Sequence, residues 1–192
     1  AFIDMMQWLL DNTNLNYGAY ASQWRADYVA SDGVGRVDSG NGILSRWPLR
    51  NAKRFALPLV SDYDALTQKF YLKRNILQTQ VAIPGYNDLF ALNVHTEAYS
   101  TDGTKKKQID IFKSKLDEIA LEGRLFVGGG DLNTLPPGSD QVEGFTDSVC
   151  SGMFDADSYA EETDWLDPLY ADYIPEIPLV EFITFVFEAT GY

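Results

Sequence analysis

Several features that define large protein classes are missing from this 192-residue chain. Its single cysteine, Cys150, excludes a framework of intrachain disulfide bonds. No apolar run approaches the roughly 18 to 20 residues that a transmembrane helix needs. Residues 1–6 lack the basic segment that opens a signal peptide. Because an export signal could precede them, both a secreted and a cytoplasmic location stay open.

Basic residues are also scarce, since 15 Lys and Arg stand against 28 Asp and Glu, for a formal net charge of −13. Proteins that dock broadly on nucleic acid present a basic surface, so this composition disfavours duplex DNA as a partner. A bound divalent metal can reverse the sign locally, so a nuclease is not excluded. The apolar fraction of 45% indicates a globular protein. We predict one domain over residues 1–192, in a monomer.

Residues 124–133 carry the most informative pattern. The apolar run 125–127 followed by three glycines predicts a buried strand that ends in an open turn. Asp131 and Asn133 come next, and side chains two residues apart on extended backbone point the same way. Together they present one carboxylate and one amide, a pair that suits a hard cation and a phosphate oxygen.

A second predicted strand, residues 89–94, ends at His95, the chain's one histidine. Between the two strands, residues 104–123 show apolar residues at helical spacing, which predicts an amphipathic helix that stops at Gly123. This order places His95, Asp131 and Asn133 at the carboxyl ends of strands, where α/β folds hold their sites.

The other predicted elements follow from turn residues and alternation. They are a helix at 1–12, the start of a strand at 17–20, a loop at 26–40, a strand at 41–45, two or three strands within 51–83, a hairpin turn at 84–88, an irregular loop after 136 with a short helix near 159–162, and a strand or helix at 179–188.

Three motifs occur in order along the chain: Gly40–Leu49 (GNGILSRWPL), Asn93–His95 (NVH) followed by Lys107-Gln108, and Gly130–Asn133 (GDLN). In this order they resemble the endonuclease/exonuclease/phosphatase family, a metal-dependent superfamily, over about residues 15–150. The resemblance implies an α/β fold in which two mixed β-sheets pack face to face and are flanked by helices. This four-layer sandwich would be incomplete here.

The resemblance also implies a phosphoester hydrolase, a phosphodiesterase or a phosphatase, that uses Mg²⁺ (or Mn²⁺) and in-line attack by an activated water. Asp131 would bind the metal or orient the water. Asn133 would donate to a nonbridging phosphate oxygen, and His95 would donate to the phosphate or protonate the leaving group. Arg46 and Asn41 would contact the substrate.

Each of these residues has a plain structural alternative. Asp131, Asn133 and Asn41 suit turns, His95 suits a satisfied strand end, and Arg46 suits a surface ion pair. The run Lys105–Lys107 predicts the solvated start of a helix. Glu97 and Asp102 are interpreted as loop acids.

Two parts of the family pattern have no counterpart. A Gln-Glu pair that would precede the first helix is missing, and so is a Ser-Asp-His triplet near the end, since no second histidine exists. We therefore expect a domain truncated at both ends, lacking its N-terminal strand and C-terminal strands and catalytically silent as these 192 residues alone. The alternatives are a non-catalytic binding module of the same fold, or a nuclease acting on DNA. The acidic balance favours a small or lipid-derived phosphoester.

Overall fold

The computed structural model describes residues 4–29, 35–134, 136–137 and 164–174. The chain divides into two compact units, residues 1–133 and 134–192. The first unit contains, in order, α1 Met5–Asn12, β1 Tyr17–Val29, β2 Gly35–Ser45, β3 Leu49–Ala56, α2 Ala65–Phe70, β4 Asn75–Ile83, β5 Tyr86–His95, α3 Thr104–Leu121 and β6 Leu125–Asp131. The second unit contains α4, Asp167–Tyr173, which has a proline in its first turn and buries Leu169.

The described strands form two sheets. β1 and β2 make an antiparallel pair, and the second sheet has the order β3-β4-β5-β6. In that sheet β5 and β6 are parallel and the other pairs are antiparallel. α3 connects the parallel pair, as a crossover helix does. The α/β prediction is confirmed, with the difference that the two-stranded sheet is antiparallel and not mixed.

The two sheets pack face to face. Asn41 of β2 donates from Nδ2 to the carbonyl of Asn75 at 2.8 Å, and Arg54 of β3 donates from Nε to the carbonyl of Ser22 at 3.2 Å. α1 contacts β1 and α3 contacts β6, so one helix flanks each sheet. The layers are therefore helix, two strands, four strands and helix, as the four-layer prediction requires.

The apolar face of α3 supplies much of the core. Ile109, Phe112, Leu116 and Ile119 are each 5% exposed or less and recur at helical spacing. Asp102 holds the start of the helix, because its Oδ1 accepts from the backbone N–H of Thr104 at 2.9 Å. The prediction of this helix is confirmed.

The predicted loop at 26–40 is wrong for the residues that the structure describes there. β1 continues to Val29 and β2 begins at Gly35. Within β2, Gly40 allows the two strands to approach closely, because a Cβ there would lie 2.2 Å from the carbonyl oxygen of Ala21, beside a register shift between β1 and β2.

The predicted turn at Gly128–Gly130 is wrong as well, since β6 runs through these glycines to Asp131. Gly130 has φ +140°, and a Cβ there would lie 1.8 Å from the carbonyl oxygen of Val94. The glycine lets β6 approach β5 at the very residue before Asp131.

Two short helices lie where the patterns predicted none. α2 interrupts the 51–83 segment, and its cap is Asp64, which accepts from the backbone N–H groups of Leu66 and Thr67. α4 lies in the stretch predicted as irregular. The predicted turn at 84–88 is shorter, because β5 begins at Tyr86. The predictions for 159–162 and 179–188 lie outside the described residues.

Among the described helices, none combines the length and the apolar character needed to cross a membrane.

Candidate active site

His95 and Asp131 end neighbouring strands and are register partners. β5 and β6 run parallel, with His95 opposite Asp131. His95 Nε2 lies 3.7 Å from Asp131 Oδ2, and the two side chains are 36% and 63% exposed. The imidazole and the carboxylate are thus close together and open to solvent. The crossover through α3 produces this pairing, because it returns the chain in the same direction at the next position of the sheet.

Asn133 joins this pair through the backbone. Its N–H donates to Asp131 Oδ1 at 2.9 Å, and its side-chain Nδ2 donates to the carbonyl of Thr96 at 3.0 Å. Its φ is +50°, so Asn133 does not lie on extended backbone, and the prediction that extended backbone points its side chain the same way as that of Asp131 is wrong. A turn brings Asn133 to the site instead, with one amide hydrogen already bound to Thr96.

Lys105 corrects the interpretation of the lysine run. Its side chain is 1% exposed, and Nζ donates to the carbonyl of Asn133 at 2.9 Å. Lys106 and Lys107 are exposed, as predicted for a solvated helix start. Lys105 instead ties the first turn of α3 to the loop that follows Asp131.

Glu97 is the functional candidate that the sequence interpretation missed. It was interpreted as a loop acid, but it is 1% exposed. Its Oε1 accepts from the Tyr71 hydroxyl at 2.7 Å, and its Oε2 lies 3.7 Å from Nε of Arg74. Because β4 and β5 are antiparallel, Tyr71 and Arg74 precede one strand where Glu97 follows the other. Polar residues flanking two such strand ends were the signal available in the sequence.

Arg74 is buried, and two of its guanidinium nitrogens lack a hydrogen-bond partner among the described residues. The residue is 4% exposed, and among the described residues Nε and Nη1 have no hydrogen-bond partner. A buried donor left unsatisfied is costly, and a buried charge more so. The ion pair with Glu97, at 3.7 Å, is longer than a hydrogen bond and compensates this charge in part.

Burial and these neighbouring charges together set the protonation of His95. Burial lowers its pKa below the ordinary 6.5, and the positive charge of Arg74 lowers it further. The negative charges of Asp131 and Glu97 oppose both effects without cancelling them. At neutral pH the imidazole is therefore uncharged, with one N–H to donate and one nitrogen to accept.

The two residues predicted to contact the substrate, Asn41 and Arg46, differ in their exposure to solvent. Asn41 is 5% exposed, and its amide donates to the carbonyl of Asn75 across the sheet interface. Arg46 is exposed in the turn after β2. For both, contact with a substrate stays a prediction.

A metal site is not complete in the part of the chain that the structure describes. That part contains no group of three or more His, Cys, Asp or Glu residues placed to hold an ion. At the strand ends Asp131 offers an exposed carboxylate, while Glu97 is buried against Tyr71 and Arg74. This donor set fits an ion shared with a bound phosphate better than an ion caged by protein alone.

The sequence matches no protein-family model and no curated protein. Solved structures do match. An endonuclease/exonuclease/phosphatase from Beutenbergia cavernae superposes with a TM-score of 0.52 at 20% identity, covering 83% of this chain and 37% of that one. The catalytic domain of human nocturnin, with a bound sulfate anion, gives a TM-score of 0.50 at 17% identity, covering 77% of this chain and 52% of that one.

The chain thus spans about a third to a half of the length of these structures. The likeness covers most of the chain. The chain therefore has the fold of the endonuclease/exonuclease/phosphatase family.

Proposed function

We propose that this chain carries the phosphate-side part of the active site of a phosphoester hydrolase. The observation that carries the proposal is the pairing of His95 with Asp131 at 3.7 Å on adjacent parallel strands, with both side chains open to solvent. A neutral imidazole beside a carboxylate supplies a donor for a phosphate oxygen and an acceptor for a proton of water. The family fold supports this reading at the level of phosphoester chemistry.

The reaction would proceed by in-line attack of water. Asp131 would accept a proton from the water, whose oxygen bonds to phosphorus as the bond to the leaving oxygen breaks. The leaving oxygen would take a proton from solvent. The N–H of His95 would donate to a nonbridging oxygen, and the remaining amide hydrogen of Asn133 would donate to another. Such donors are effective when they are fixed before charge develops.

A divalent cation, Mg²⁺ or Mn²⁺, is part of the proposal. Asp131 would hold it together with phosphate oxygens of the substrate. When bound, the ion would neutralise phosphate charge. The described residues do not complete a cage around such an ion. The roles proposed for His95, Asp131 and Asn133 in binding phosphate and activating water therefore depend on their side chains alone.

The electrostatics favour a compact anionic substrate. The guanidinium of Arg74, only partly compensated by Glu97, places positive charge next to His95. The whole chain carries −13, which disfavours a long polyanion. We therefore favour a small or lipid-derived phosphoester over duplex DNA.

The test is hydrolysis of bis(p-nitrophenyl) phosphate, p-nitrophenyl phosphate and inositol phosphates by the protein in its natural length, with Mg²⁺, Mn²⁺ or EDTA. We expect metal-dependent turnover that Asp131→Ala and His95→Ala each reduce by roughly 10²-fold or more. Asp110→Ala is the matched control, because Asp110 is an exposed carboxylate of α3 that pairs with Lys106.

Absence of turnover on every substrate would overturn the proposal in favour of a binding module of the same fold. Turnover that both variants leave unchanged would place the chemistry elsewhere. A duplex oligonucleotide cleaved faster than the small esters would reverse the preference for a small substrate.

A further inference from the structure

A polar cavity lies on the four-stranded sheet, away from His95 and Asp131. It has a volume of about 290 Å³ and is lined by side chains from β3, β4, β5 and the segment before β6. Six residues of this lining carry polar, charged or aromatic side chains: Asn51, Lys53, Gln78, Gln80, Phe90 and Arg124. Phe90 precedes His95 by five positions of β5, roughly 17 Å at the rise of a strand. The cavity is therefore separate from the candidate active site.

The lining of this cavity contains amides and cations and no carboxylate. That composition is unusual in a chain with 28 acidic and 15 basic residues. Lys53 is exposed and forms no ion pair with another described residue. Arg124 is half-exposed and forms an ion pair with Glu122, in which Nε of Arg124 lies 3.1 Å from Oε2 of Glu122. The cavity thus offers positive charge next to uncharged hydrogen-bonding groups.

A β-bulge builds the cavity wall. Arg50 pairs with Gln80 and Lys53 with Gln78, so Asn51 and Ala52 stand opposite one residue of β4. Asn51 has φ +52°, a left-handed conformation, and its Nδ2 donates to Gln80 Oε1 at 3.2 Å. Bulges redirect side chains and are common beside binding sites. Here the bulge turns the Asn51 amide onto the glutamine of the next strand.

Two features restrict the ligand. Pockets for drug-sized ligands run from roughly 300 to 1,000 Å³, so 290 Å³ suits a small molecule. The guanidinium of Arg124 lies 5.5 Å from the centroid of the Phe90 ring, a cation–π contact. This ring is therefore already covered and does not offer a free face on which a nucleobase would stack.

We propose that this cavity binds a small phosphorylated polyol, with its phosphate at Lys53 and Arg124 and its hydroxyl groups on the amides of Asn51, Gln78 and Gln80. Phosphate accepts charge-assisted hydrogen bonds from both cations. Amide side chains both donate and accept, as hydroxyl groups do. The proposal does not depend on the function proposed for His95 and Asp131.

The experiment is titration of the ¹⁵N-labelled chain with glucose 6-phosphate, followed through the side-chain amide signals of Asn51, Gln78 and Gln80. Inorganic phosphate and glucose are titrated separately. We expect saturable shifts with the sugar phosphate and weaker binding of either part alone. Lys53→Ala and Arg124→Ala should each weaken binding about tenfold, as expected for the loss of one charge-assisted hydrogen bond.

Two control variants locate the binding. His95→Ala should leave the titration unchanged, and so should Lys107→Ala, which removes an exposed lysine from α3. Unperturbed amide spectra of the variants would show that they fold.

Loss of binding in His95→Ala would assign the ligand to the strand-end site and overturn the proposal. So would equal binding of inorganic phosphate and glucose 6-phosphate, or no saturable shift at millimolar concentration. In that last case Lys53 would be a charge that protects the edge strand β3 from pairing.

Discussion

The four-stranded sheet carries polar groups in two places that are built in different ways. At the ends of β5 and β6, His95 and Asp131 meet because two parallel strands are in register, and buried charges lie behind them. At the bulge of β3, Asn51 meets Gln80 because the register is broken. The first arrangement depends on a glycine that lets two backbones come into contact, whereas the second depends on an asparagine held at positive φ.

This difference predicts how each place tolerates change. A strand-end pair held by close backbone contact should fail abruptly when the two backbones are pushed apart, because Gly130 meets the carbonyl of Val94, which is 0% exposed and has little room to move. A bulge at an exposed edge should adapt, because its residues have space to move. Substitutions at Gly130, at Asp131 and His95, at Asp102 and at Asn51 test the contrast, in order of decreasing effect.

Gly130→Ala should have the largest effect. Its Cβ would lie 1.8 Å from the carbonyl oxygen of Val94, and φ +140° is a conformation that only glycine adopts readily. We expect a loss of about 3 kcal/mol or more in the free energy of unfolding, since backbone strain and overpacking add. Urea denaturation measures it. Gly129→Ala is the matched control, because nothing lies within 4 Å of its added Cβ.

A Gly130→Ala chain as stable as the Gly129→Ala chain would show that β5 and β6 separate easily. The strand-end site would then not be rigid, and the contrast with the bulge would disappear.

The next effect is on catalysis. In the protein of natural length, Asp131→Ala and His95→Ala should each reduce turnover by roughly 10²-fold or more, with little change in stability, since both side chains are partly exposed. Lys53→Ala, at the bulge, should leave turnover unchanged. Steady-state kinetics and urea denaturation of the same variants measure both properties. Equal losses in Lys53→Ala would mean that the two places form one functional unit.

The pairing of His95 with Asp131 was predictable from the sequence. The buried charges of Glu97 and Arg74 behind that pair were not. His95 and Asp131 follow apolar runs on either side of an amphipathic helix, a strand–helix–strand order that is typical of parallel neighbouring strands. Glu97 and Arg74 gave no comparable signal, because their burial depends on how the ends of β4 and β5 meet in space.

Glycine was the main source of error in the fold. In the two segments that were wrongly predicted as a loop and a turn, glycine marks close contact between neighbouring backbones inside a strand, at Gly40 and at Gly130. A single sequence does not separate that use from a turn, because both need a residue without a Cβ. The bulge at Asn51 was invisible for a related reason: it breaks the alternation on which strand prediction rests.

A moderate effect is expected at Asp102, which lies in the loop between β5 and α3. Its Oδ2 accepts hydrogen bonds from the backbone N–H and the hydroxyl of Ser61. Burial raises the pKa of Asp102, but hydrogen bonds from Ser61 and Thr104 lower it by more, to well below the ordinary 3.8. Asp102→Asn should cost about 1 kcal/mol of unfolding free energy at neutral pH. Because the folded-state pKa is lowered, this stabilisation is complete above about pH 4 and is lost as the pH falls further.

Urea denaturation between neutral and strongly acidic pH measures this difference. Asp110→Asn is the control, because Asp110 forms an exposed pair with Lys106 that contributes little. A difference between Asp102→Asn and the unsubstituted chain that stays constant down to the lowest pH would contradict a stabilising role for the hydrogen bonds from Ser61 and Thr104 to the ionised carboxylate.

The smallest effect is expected at the bulge itself. Asn51→Gly removes the 3.2 Å hydrogen bond to Gln80 and relieves a side chain held at φ +52°. These changes oppose each other, so the free energy of unfolding should change by less than about 0.5 kcal/mol. Glucose 6-phosphate binding should nevertheless weaken, because one amide of the proposed cavity is gone. Asn51→Val is the informative partner, since a β-branched residue adopts positive φ poorly and should shift the bulge. If Asn51→Val and Asn51→Gly bind the sugar phosphate as tightly as the unsubstituted chain, the bulge does not shape a binding site, and the two places on the sheet differ in geometry alone.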